Sequence, residues 1–174
     1  MRRFLDQLYK LAGGIAALSI LGICLIVSAQ VGLNILARLG GPSTSFTIPS
    51  YADFAGFMLS TASFLALAFT LRQGSHIRVN LFVQNLSEKF QWILEIVALF
   101  LGAAMTGYAT WFSGSLVAES FHYGDMSTGI VAIPIWIPQL SMVVGLALLT
   151  IAFIDTLIEA IIARAPVLLD EGSE

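Results

Sequence analysis

The stretch "YADFAGFMLSTASFLALAFTLRQGSHIRVNLF", residues 51–82, decides the fold. From Tyr51 to Leu71 it is an apolar run of about 20 residues, the length at which a helix crosses a hydrocarbon core of roughly 30 Å. At Arg72 the run stops, and Arg72, Gly74, His76 and Arg78 follow in close succession. A cation at that position is favoured both by the negative end of the helix dipole and by lipid head groups. Gly74 can end the helix, because a left-handed residue after the last turn costs glycine almost nothing. Beyond it, Val79, Phe82, Val83, Leu86, Phe90 and Ile93 share one helical face, and Asn80, Gln84, Ser87, Glu88, Gln91 and Glu95 share the other. That periodicity predicts a short amphipathic helix on the membrane surface before the chain re-enters.

The whole chain supports this reading. Of its 174 residues, 57% are hydrophobic and 11% charged, and the mean hydropathy is +0.88, far from an average soluble domain. Three further apolar runs, about 11–37, 93–118 and 135–154, reach spanning length. The fourth continues helically to about residue 163, roughly 45 Å in all, so it must tilt or protrude. The expectation is an all-α integral membrane protein of four transmembrane helices, folded as one compact membrane domain over 1–174 without internal repeats.

At the N-terminus, Arg2, Arg3 and Lys10 precede an apolar run too long for a signal-peptide core and without a small-residue cleavage site. Phe4, Leu5, Leu8, Leu11 and Ala12 predict one face of a second short interfacial helix. With the N-terminus in the cytoplasm, seven Lys and Arg residues fall on the cytoplasmic side and only Arg38 on the other. The positive-inside rule then places both termini and the 72–92 segment in the cytoplasm.

Two readings compete for Arg72, His76 and Arg78. They are ordinary positive-inside residues, or they pair with Asp155 and Glu159, which lie four residues apart on one face at the same end of the fourth helix. Gln30, Asn34 and Arg38 form a period-four stripe at the outer end of the first helix, and Asp53 opens the second; interhelical hydrogen bonding is the role expected of them. Gly102, Thr106, Thr110 and Gly114 form a small-residue seam on the third helix, whose partner the sequence does not name.

Several function classes lack support. The net charge of −3 and the absence of a basic stripe argue against a nucleic-acid partner. The lone Cys24 excludes an internal disulfide framework. His76 and His122 are expected on opposite sides of the membrane, where they cannot jointly ligate a haem or metal within it. No Ser or Thr has a histidine or acid at a spacing suited to an activated nucleophile. The chain is not expected to be an enzyme or to carry a cofactor.

"LRQGSHIRVNLF" at 71–82, together with "YADFAGFMLSTASFLALAFT" at 51–70 and "IPIWIPQLSMVVGLALL" at 133–149, resembles the small membrane subunit (DctQ-like) of tripartite ATP-independent periplasmic (TRAP) transporters. Arg72, Gly74, His76, Ile77 and Val79 are the specific part. Asn80 departs from the acid many members carry after that core, whereas Asp53 keeps the charge of a frequent Glu. The resemblance implies a scaffold subunit in the bacterial or archaeal inner membrane. Its implied partners are a large DctM-like membrane subunit that holds the substrate and ion sites, a DctP-like periplasmic protein that captures an organic acid, and membrane lipids. It further implies symport driven by an ion gradient, usually of sodium. Arg38, Asp53, Arg72, Gly74, His76, Arg78, Asp155 and Glu159 are the candidates for interface or structural roles; none is a candidate catalytic, substrate or metal ligand. Two alternatives stay open: a stand-alone small transporter, which needs an acid or broken helix near the bilayer centre, and a four-helix redox protein, which needs paired axial ligands.

Overall fold

The computed structural model describes residues 2–40, 46–73 and 87–163. They form four helices: α1 (Arg2–Gly40), α2 (Tyr51–Arg72), α3 (Glu88–Tyr123) and α4 (Trp136–Ala163). Each is long and apolar enough to cross a membrane, so the chain is a multi-pass membrane protein. With no water in the hydrocarbon, helices satisfy every backbone group internally, which is why the apolar runs adopt this form.

Helix α1 differs from the expectation. It is continuous over 39 residues, roughly 58 Å at 1.5 Å per residue, with no separate interfacial helix before the span. The reason lies in its packing. Tyr9, Ala12 and Ala16 are buried against Leu65, Ala68 and Leu71 of α2, with Leu5 and Leu8 packed beside them. Phe4 and Leu11, which the sequence pattern had placed on the same face, are instead exposed. The inward stripe therefore runs from Tyr9 through Gly13, which lies against the Phe69 ring, to Ala16, and the helix continues unbroken through Gly14. The second surface helix expected after residue 78 falls largely on residues outside those described, as do Gly74, His76 and Arg78.

The helices do not close around a central core. Helix α1 packs on α2, α2 on α4, and α4 on α3, so the order across the membrane is α1, α2, α4, α3. Helices α1 and α3 form the two edges. The core is accordingly a seam of Leu65, Ala68, Leu71, Leu148, Leu149 and Ala152 between α2 and α4, extended by the buried face of α1. Small residues let the backbones approach. Gly145 is buried directly against Phe64, and a Cβ built there would lie 2.5 Å from the Phe64 carbonyl carbon. The small-residue seam of α3 faces α4 from Gly102 to Thr110 but not at Gly114: Gly102 lies under the Phe153 ring, and the Thr110 and Thr150 hydroxyls are 3.5 Å apart. Many large apolar side chains on α1 and α3, among them Leu18, Leu25, Phe100, Met105 and Trp111, point away from the row. Lipid tails are as apolar as leucine, so such faces carry no hydrophobic penalty in the bilayer.

Candidate functional site

Antiparallel connection brings the start of α1, the end of α2, the start of α3 and the end of α4 to one level. There α2 ends on Arg72. Its Nη1 donates to Glu159 Oε2 at 2.9 Å and lies 3.5 Å from Asp155 Oδ2, while Nη2 lies 3.7 Å from Asp6 Oδ1. One guanidinium thus faces three carboxylates on two neighbouring helices. The Arg72, Asp155 and Glu159 side chains are 21%, 19% and 14% exposed, so the group is mostly withdrawn from water.

The chain needs a cation here. Asp155 and Glu159 are like charges one helical turn apart, a destabilising spacing, and Glu159 lies close to the last turn of α4, where the helix dipole disfavours anions. Arg72 offsets both effects and also complements the dipole of its own helix. The planar fork matters as much as the charge, because two nitrogens reach acids in different directions. Next to it, the Trp92 indole N–H of α3 donates to the Ala160 carbonyl of α4 at 2.7 Å. Arg72 therefore ties α1, α2 and α4 together, and Trp92 adds α3.

The opposite end is held by backbone and hydroxyl contacts. Helix α3 ends at Gly124, whose φ of 66° is left-handed. The chain then makes a small hairpin, in which Ser127 N donates to Ile133 O at 2.8 Å and Ile135 N to Asp125 O at 3.0 Å. This hairpin folds over the start of α2: Val131 N donates to Ser50 Oγ at 2.9 Å, and Gly129 lies so close to Asp53 that a Cβ would collide with the carboxylate. Ser50, at φ 55°, is left-handed as well. Phe121 and Trp136 meet edge to face across the hairpin's base. Gln30 is buried; its Nε2 donates to Asn34 at 3.0 Å and its Oε1 accepts from Ile48 N at 2.9 Å. It caps the segment entering α2 rather than bridging two helices as the sequence pattern suggested. Arg38 is exposed in the last turn of α1, away from this network.

Of the candidate residues, then, Arg72, Asp155 and Glu159 come together, Asp53 joins the opposite latch, and Arg38 stands apart. Asp6, Tyr9, Trp92, Ser50 and Gly129 were not singled out from the sequence. Asp6 carried a signal, since it shares an end with Arg72 once the helices alternate in direction. Among the described residues no group of His, Cys, Asp or Glu is arranged to hold a metal ion.

The geometry is that of a helix clamp at each end of an otherwise apolar plate. No curated protein and no solved structure matches the chain. A family model, "Tripartite ATP-independent periplasmic transporters, DctQ component", matches residues 23–163. That span contains the hairpin and Gln30 contacts at one end and Arg72 with its α4 acids at the other, and it covers most of the sequence; the chain belongs to the DctQ family, the small membrane component of TRAP transporters, a family of transporter components rather than enzymes.

Proposed function

We propose that this chain is the scaffold subunit of a TRAP-type secondary transporter for an organic acid in the inner membrane, driven by an ion gradient, usually of sodium. Substrate and ion sites belong to a large DctM-like subunit, and a DctP-like periplasmic protein delivers the acid. One observation carries this division of labour. Asp, Glu, Lys, Arg and His are missing between Lys10 and Arg38, between Asp53 and Arg72, between Glu95 and Glu119, and between Trp136 and Asp155. A protein that coupled ions to substrate by itself would need polar or ionisable groups, or broken helices, at the bilayer centre. Here the charges sit toward the helix ends, where Arg72 with Asp6, Asp155 and Glu159 joins helices to one another. Both termini lie in the cytoplasm on this reading, supported by the seven-to-one distribution of Lys and Arg.

The test is reconstitution. Proteoliposomes with the chain and its large subunit, supplied with the periplasmic protein and an inward sodium gradient, take up radiolabelled organic acid. Omitting the chain abolishes uptake, and the chain alone gives none. Uptake by the chain alone, or a substitution in it that changes which acid is carried, refutes the scaffold role.

A further inference from the structure

Between the first turns of α1 and the end of α2 lies a cleft of about 170 Å³, lined by Asp6, Tyr9, Lys10, Phe69, Arg72 and Gln73. At roughly 30 Å³ per molecule this is the room of about six waters, or of a phosphate with a short amine tail. The scaffold role makes no use of it. Its two α1 charges are one turn apart, yet they do not pair. Asp6 reaches toward Arg72 at 3.7 Å and stays half exposed, and Lys10 is exposed with no carboxylate partner among the described residues. Tyr9 stands between them in sequence, 2% exposed, with its hydroxyl buried and lacking any hydrogen-bond partner. Behind the cleft, Oδ2 of Asp155 is also buried without a hydrogen bond.

The balance of charge restricts the ligand. Within the cleft the Lys10 cation and the half-exposed Asp6 carboxylate stand one turn apart, while Asp155 and Glu159 engage Arg72 from behind. A simple anion at Lys10 leaves the Asp6 carboxylate unmatched, and a simple cation at Asp6 leaves Lys10 unmatched. A zwitterion with a phosphate and a primary ammonium answers both. Depth points to its source: Arg72 ends a membrane span, which sets the cleft at the head-group level, with the Phe69 ring on its wall. We infer that the cleft binds the head group of an ethanolamine phospholipid, the phosphate toward Lys10 and the ammonium toward Asp6. An ammonium retains N–H donors for the carboxylate, which a choline head group lacks, and a glycerol head group brings no cation to Asp6.

Native mass spectrometry of the full chain, delipidated in detergent and supplied with equal amounts of phosphatidylethanolamine, phosphatidylcholine and phosphatidylglycerol, tests this. The expected result is one retained phosphatidylethanolamine per chain, at least tenfold over either competitor. Lys10→Gln lowers its retention at least tenfold, Asp6→Asn removes the preference over phosphatidylcholine, and Arg38→Gln at the opposite end changes nothing. Soluble phosphoethanolamine competes only at far higher concentration. Equal retention of phosphatidylglycerol, or wild-type retention by Lys10→Gln, overturns the inference. Displacement by soluble phosphoethanolamine at lipid-like concentration overturns the lipid as the source. Should Asp6→Asn lose helicity by circular dichroism, the head-group series and Lys10→Gln decide the matter alone.

Discussion

Replacing glycine by alanine inside a helix ordinarily helps, by about 1 kcal/mol from backbone entropy. This chain contains a position where the sign must reverse. At Gly145 the added methyl meets the backbone of Phe64 on α2, lying 2.5 Å from its carbonyl carbon and 2.7 Å from its Cβ. Ordinary contact needs a retreat of about 1 Å, and no rotamer change supplies it, because the obstacle is main chain. Helix α2 must move away from α4, and the seam of Leu65, Ala68, Leu148, Leu149 and Ala152 loosens with it. A gap of that size forfeits a quarter to a half of each dispersion contact, and overpacking of this kind costs about 1–3 kcal/mol. A backbone collision belongs at the upper end, so after the entropic gain Gly145→Ala should destabilise the isolated chain by about 2 kcal/mol. Gly114→Ala is the control: nothing lies within 4 Å of its Cβ, and it should be neutral or stabilising by up to about 1 kcal/mol. Equilibrium unfolding in mixed micelles, followed by far-UV circular dichroism, measures both. Equal effects for the two variants, or a stabilised Gly145→Ala, would refute the α2–α4 contact as described.

Arg72→Ala strands Asp155 and Glu159 and should cost about 3 kcal/mol, the lower end for a broken buried pair because part of the group stays exposed; Arg72→Lys keeps the charge but not the fork and should cost about 1 kcal/mol in the same assay. Trp92→Phe removes one interhelical hydrogen bond and should lose about 0.6 kcal/mol, with Trp92→Tyr no better, since the hydroxyl sits elsewhere than the indole N–H. Gly129→Val should push the hairpin off Asp53 and Ser50, seen as faster amide exchange at Val131 with the Arg72 end unchanged. In a cysteine-free Cys24→Ser background, Ile130→Cys should react with an impermeant thiol reagent from the periplasmic side of intact cells and Phe4→Cys should not; the reverse pattern inverts the proposed topology.

Hydropathy located all four spans, because the bilayer imposes a length and a polarity on each segment whatever its neighbours are. The ends proved less legible: α3 runs from Glu88 to Tyr123, several residues beyond the apolar run in each direction, since a helix continues into the head-group layer wherever nothing breaks it. Asp155 and Glu159 were visible as partners for Arg72 because one-turn spacing marks a shared face. Asp6 was not, hidden among three basic neighbours that drew the reading toward orientation. The row order α1, α2, α4, α3 had no signal at all. In lipid, a leucine facing a helix and a leucine facing a tail look alike in sequence, so the pattern that separates inside from outside in a soluble protein is silent here. Tyr9 illustrates the point: its burial against α2 depends on α1 remaining helical through the interface, which the basic N-terminal residues concealed.

Pinned at both ends, the α2–α4 seam has a mechanical consequence. The chain is two helical hairpins, α1 with α2 and α3 with α4, joined along a single line. Left free at either end, that line could splay or slide, and one hairpin would part from the other. Arg72 with Asp155 and Glu159 fastens one end, and Val131 with Ser50 fastens the other. With both fasteners engaged, splaying or sliding requires one of them to break, while rotation about the line between them is left open. The plate thus resists being pulled apart along its seam, while the angle between its two hairpins can adapt to what packs on its edges.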